Sequence, residues 1–191
     1  MTGGDDLAQW VSHCIVADRV LARLPRLDRH AFCVGNLAPD CNLPNEDWSS
    51  FTPSREITHR MRARAVPALR EKAEGLAETW DDFKKLISVQ ERLKDVHCVE
   101  REYLDAHPDS CYFTELRDLE RFPDYIDLLP PGAIPKKGRM MLYLPAREAG
   151  SFPFVAFSRE EYAAFLDRAA ALSSRAIEEA RRAVEEELRR K

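Results

Sequence analysis

The stretch from Leu7 to Leu24 is the strongest constraint on how this chain folds. At about 100° per residue, Leu7, Trp10, Val11, Cys14, Ile15, Ala17, Leu21 and Leu24 cover an arc wider than half a helix circumference, with Gln9, Ser12, Arg19 and Arg23 opposite. So wide an arc marks a helix buried on most sides, not a surface helix. Asp5 or Asp6 can cap its start and Pro25 ends it. Two polar residues interrupt the arc. Asp18 projects between Leu7 and Val11, and His13 between Leu24 and Val20. A buried carboxylate is costly without a partner, so Asp18 must find a cation, a donor or a metal.

The remaining periodicity is helical as well. Leu27 to Val34 predicts a short second helix, with Asp28 as its cap and Gly35-Asn36 as a left-handed stop. Leu37 to Phe51 reads as loop. Thr52-Pro53 opens a third helix, with Pro at its first position and His59 on its second turn. Pro67 kinks or splits that helix and Gly75 closes it. From Asp81 to before Pro108, Leu86, Val89, Leu93, Val96, Val99, Tyr103 and Leu104 recur at helical spacing. A second carboxylate intrudes there: Glu100 projects between Val96 and Leu93, with His97 at the edge of the same face. Cys111 to Phe157 is rich in Pro and Gly and irregular, with Met140 to Leu144 readable as a short strand. Ser158 and Glu161 then have capping-box spacing. They open a last helix whose inward stripe is Tyr162, Leu166, Ala169, Ala176, Ile177, Ala180 and Val184. Its tail, Arg175 to Lys191, carries the pairs Glu178–Arg182, Glu185–Arg189 and Glu186–Arg190 and reads as a solvated face. The expected class is all-α.

At 191 residues the chain suits one domain with a real core. Its net charge of −4 gives no reason to expect a nucleic acid or an anionic membrane as partner. No apolar run approaches the roughly 20 residues of a membrane span. The acidic start, Gly3-Gly4-Asp5-Asp6, lacks the basic region of a secretory signal, so a cytoplasmic location is expected. Five cysteines without C-x-x-C spacing indicate neither a disulfide framework nor a zinc finger. Cys14, Cys33 and Cys98, in apolar runs, read as small buried hydrophobes.

Chemistry concentrates in the first sixty residues. His13 lies in a helix, Asp40 in a loop after a Pro, and His59 near a helix start. Imidazole nitrogen and carboxylate oxygen suit zinc, with manganese or iron as alternatives. Spacing alone leaves open that Asp40 is a surface carboxylate and that both histidines are structural. The runs His13-Cys-Ile-Val-Ala17, Phe32-Cys-Val-Gly-Asn-Leu-Ala-Pro-Asp40 and Ile57-Thr-His59 resemble the zinc-dependent phospholipase C family of bacteria. That family has an all-helical fold related to the P1-type nucleases. Gly35, Pro39, Asp40, Thr58 and His59 match its Gly-x-x-x-Pro-Asp loop and Thr-His helix start, in order and approximate distance. The resemblance implies that His13, Asp40 and His59 ligate metal and that Asp40 has a catalytic part. It divides a single domain, 1–191, into a metal-site half, 6–75, and scaffold helices, 80–191.

The chain also departs from that family. The His-Leu-x-x-Asp helix that completes the family's metal cluster is missing, and no His follows His59 until His97. Glu100 and His97, three residues apart on one helix, are conceivable replacements. Asp18 and Glu100 are more simply read as paired with a buried Arg or His, or as orienting a ligand from behind. His30 and His107 read as solvent-facing. The resemblance therefore implies a phosphoester hydrolase with a reduced zinc site of one or more ions, acting on a small phosphoester or a lipid head group. Two rivals are a catalytically dead helical scaffold from the same family and an incomplete chain of an active member.

Overall fold

The computed structural model describes residues 8–37, 43–47, 49, 51–52, 56, 60, 90–116, 128–141 and 158–191. They form helices α1 (Ala8–Arg23), α2 (Arg29–Leu37), α3 (Gln90–Ala106), α4 (Cys111–Thr114), α5 (Ala133–Met141) and α6 (Arg159–Arg190). A two-residue antiparallel pair, β1 (Leu43–Pro44) and β2 (Phe51–Thr52), sets Leu43 opposite Thr52 and Pro44 opposite Phe51. Among the described residues the protein is all-α apart from this pair. Among the described residues no helix is long and apolar enough to cross a membrane.

Helix α1 is the centre of the packing, in contact with α2, α3, α4 and α6. Trp10, Val11, Cys14, Ile15, Ala17, Val20 and Leu21 are all buried, as the wide apolar arc requires. The burial goes further than the arc. Ser12, read as part of the polar side, is also buried, because α3 and α6 bring Glu100 and Tyr162 against it. The core continues through Val34 and Leu37 of α2, Val96 and Leu104 of α3, and Tyr162, Phe165 and Leu166 of α6.

Asp28 caps α2 as expected, accepting from the Ala31 N–H at 2.8 Å. The expected stop at Gly35-Asn36 does not occur: both residues are helical and α2 runs on to Leu37. Leu37 is buried to 1 % exposure. Burying a Leu is worth about 2–3 kcal/mol, against about 1 kcal/mol for a glycine inside a helix, so continuation wins. The stretch expected to be loop contains β1 and its tie to β2. Between them, Asn45 Nδ2 donates to Ser49 Oγ and the Ser49 N–H to Asp47 Oδ1, both at 3.0 Å. Glu56 and Arg60 are helical.

Within the irregular region, Pro130 to Ala133 is a turn closed by the Ala133 N–H on the Pro130 carbonyl at 3.0 Å. Pro131 takes the second position and Gly132, at φ +80°, the third, where a positive φ favours glycine. Helix α5 follows, and Met140 and Met141 are its last residues rather than part of a strand. The capping box at Ser158 and Glu161 forms with both hydrogen bonds. Along α6, Tyr162, Leu166, Ala176 and Ala180 face inward as predicted, joined by Phe165, Ala170 and Ser174, while Val184 is exposed. In the solvated tail Glu185–Arg189 and Glu186–Arg190 pair at 3.8 Å, and Arg181 also reaches Glu185.

Candidate functional site

His13, the first of the three proposed metal ligands, is half-buried on α1 with its Nε2 atom shielded from solvent. Its backbone carbonyl accepts a 2.7 Å hydrogen bond from the side chain of Asn36, in the last turn of α2. The residue is thereby fixed from two sides, by its own helix and by the end of the next. Asp40 and His59 lie outside the described residues. Among the described residues no three His, Cys, Asp or Glu side chains are grouped to hold a metal ion. His13, His97 and Glu100 therefore do not make a three-donor set on their own.

Glu100 is wholly buried on α3, and its partner is not the Arg or His expected for it. Its Oε1 accepts from the Ser12 N–H at 3.0 Å and from the Ser12 hydroxyl at 2.6 Å. Because the single hydroxyl proton of Ser12 goes to Glu100, Tyr162 of α6 donates to Ser12 Oγ. A chain Tyr162–Ser12–Glu100 thus joins three helices through the core. The Oε2 atom of Glu100 is buried and accepts no hydrogen bond among the described residues. Burial raises the Glu100 carboxyl well above its ordinary value, with the two Ser12 hydrogen bonds opposing it. Burial and then the neighbouring Glu100 raise the Tyr162 hydroxyl as well. His97, three residues before Glu100, is half-buried.

Asp18 is paired, as its position in the arc demanded. Its Oδ2 accepts from Ser110 Oγ at 2.6 Å and Tyr103 Oη at 3.2 Å, and its Oδ1 from the Cys111 N–H at 2.9 Å. The Arg29 guanidinium stands 3.6 Å away. Ser110 is also the cap of α4, accepting from the Tyr112 N–H. Arg29 in turn donates to Glu115 Oε1 at 3.0 Å and to the Asp109 carbonyl at 2.8 Å. His30, expected in solvent, is half-buried and pairs with the same Glu115 at 3.1 Å. His107 is exposed as expected and stacks on Tyr103, ring centroids 4.0 Å apart and 15° from parallel.

Behind Asp18, the thiols of Cys14, Cys33 and Cys111 meet where α1, α2 and α4 pack, all at most 1 % exposed. Cys111 Sγ lies 3.7 Å from the Cys14 carbonyl. The hydrogen bond to Cys111 and then burial raise the Cys33 thiol; that to Cys14 is the largest influence raising Cys111. Raised thiols in an apolar setting are protonated and inert, so Cys33 and Cys111 are packing residues. Cys98 differs from its expected burial, being half-buried with its thiol 3.6 Å from Glu102.

In front of Asp18 a cleft of about 550 Å³ opens between the ends of α1 and α3 and the starts of α2 and α4. Arg19, Leu27, Arg29, Tyr103 and His107 line it. No local sequence motif marks it. Arg19 and Arg29 fall on a helix back and a helix start, and only the packing of four elements turns them to one opening. No family model, curated protein or solved structure matches the chain.

Proposed function

We propose that this protein is a metal-dependent phosphoester hydrolase of the zinc-dependent phospholipase C type, with a reduced metal site. His13, Asp40 and His59 would hold the ion. The observation that supports this reading is the hydrogen bond from Asn36 to the His13 carbonyl. It fastens the end of α2 to the turn of α1 that carries the first ligand. Asp40 follows Asn36 by four residues, a length of chain that spans at most about 14 Å. The half-buried setting of His13 also suits a ligand, since packing holds the imidazole with little freedom to lose.

Zinc, or manganese or iron in its place, supplies Lewis acidity: it polarises a phosphoryl oxygen and makes water a better nucleophile at neutral pH. The chain's own part is to fix the donors. Asp40 either holds the ion or takes a proton from the attacking water. Glu100, through Ser12, secures the segment of α1 next to His13.

The test is metal analysis of the purified protein together with hydrolysis of bis(p-nitrophenyl) phosphate, before and after chelation. About one zinc per chain is expected, with hydrolysis lost on chelation and restored by zinc. His13→Ala and His59→Ala should each abolish zinc retention. A protein without bound metal, whose activity and melting temperature ignore the chelator, would overturn the reading in favour of a scaffold role.

A further inference from the structure

The geometry points to a second binding site, independent of any metal: the cleft in front of Asp18 takes a small oxyanion that carries a flat ring. Its volume of about 550 Å³ lies within the range of about 300–1,000 Å³ typical of small-molecule sites. The chemistry follows from counting donors and acceptors. Two carboxylates line the cleft, Asp18 and the exposed Asp109, and Asp18 already accepts three hydrogen bonds beside the Arg29 guanidinium. With three of its roughly four acceptor sites filled and the Arg29 charge beside it, Asp18 offers a cationic ligand little.

The two arginines keep donors to spare. Arg29 uses Nε and Nη2 on Glu115 and the Asp109 carbonyl, and among the described residues its Nη1 makes no hydrogen bond. Arg19 is paired with Asp167 through Nη1 at 3.3 Å, and among the described residues its Nε and Nη2 make no hydrogen bond. Guanidinium groups with N–H bonds to spare match the oxygens of a phosphonate, phosphate or carboxylate. Both arginines are also held in place by their existing partners, which lowers the ordering cost of binding.

The ring requirement comes from His107. Its Nδ1 lies 2.8 Å from the Tyr103 carbonyl, so that nitrogen must donate, and the imidazole plane is fixed. Tyr103 covers one face of the imidazole. Its other face, on an exposed residue at the cleft mouth, is a ledge for a planar group. Leu27 adds an apolar wall. Because Arg29 is shared by Asp18 and Glu115, and Arg19 is paired with Asp167, net charge adds little. Affinity then comes from directed hydrogen bonds plus stacking and is modest.

Calorimetric titration of the full chain with phenylphosphonate, whose C–P bond a phosphoesterase does not cleave, tests this. Saturable binding with Kd below about 1 mM is expected, with methylphosphonate and inorganic phosphate about tenfold weaker for want of the ring. Arg19→Gln should weaken phenylphosphonate about fivefold or more. His107→Ala should remove the preference for phenylphosphonate over methylphosphonate. Both variants sit outside the core, and matching thermal melts would show that they fold. Absence of saturable binding, equal affinity for the phenyl and methyl compounds, or binding untouched by both substitutions would each overturn the proposal. Chelation should leave this binding unchanged, so its failure and that of the hydrolase reading are separable.

Discussion

Glu100 places a carboxyl group in the middle of the core with one oxygen in a hydrogen-bonded chain and the other accepting none among the described residues. Burial favours its neutral form, so the folded state binds a proton that the unfolded chain gives up near pH 4.5. The sign follows directly: the folded state holds more protons, and stability falls with rising pH. The contribution is fully present below about pH 4.5 and is lost as pH climbs towards the folded-state value. Urea denaturation across this range should show wild type losing stability relative to Glu100→Gln, which keeps an acceptor for Ser12 but cannot ionise. Parallel pH profiles for the two would refute the assignment. Asp18 has partners on three elements, accepting from Tyr103, Ser110 and Cys111 beside Arg29. Asp18→Ala would strand the Ser110 and Tyr103 hydroxyls, the Cys111 N–H and part of the Arg29 charge, and should cost about 3 kcal/mol in a denaturation midpoint analysis. Both carboxylates were visible in the sequence as intruders on apolar faces. Their partners were not, because Ser12, Tyr103, Ser110 and Tyr162 come from distant parts of the chain.

At the scale of elements, local signals set the helix starts better than the stops. Asp28 and Ser158 are caps whose side chains reach the N–H three residues on, an interaction contained within one turn. Gly35 shows why a stop is harder to read. Its presence suggested a left-handed ending, yet burying Leu37 and bonding Asn36 to His13 keep the helix going. A Cβ built at Gly35 meets nothing within 4 Å. Gly35→Ala should therefore stabilise the protein, by about 0.5–1 kcal/mol, through the lower entropy of the unfolded chain. A lowered melting temperature for this variant would contradict the helical assignment.

For the whole molecule, the unequal burial of α6 divides it into a packed part and a projecting part. Ala180 is its last buried residue, and Val184 and Leu188 are exposed. The pairs Arg181–Glu185, Glu185–Arg189, Glu186–Arg190 and Glu187–Lys191 hold the end as a helix, each worth a few tenths of a kcal/mol. None anchors it to another element. Removing residues 183–191 should therefore shift folding stability by less than about 0.5 kcal/mol. A larger loss in chemical denaturation would mean that the tail carries packing not accounted for by its exposure.

The sequence by itself determined the all-α class, the buried character of α1, the α2 and α6 caps and the presence of two carboxylates that needed partners. Those properties depend on periodicity and on contacts within a turn or two, which neighbouring residues encode. Only the tertiary structure decided that Ser12 joins Glu100 to Tyr162, that Asn36 grips His13, and that Arg19, Arg29 and His107 border one cleft. Such contacts span up to 150 residues of chain. They exist because helices from different parts of the sequence bury their apolar faces together, and the polar groups carried along must then bond to whatever that packing brings within reach.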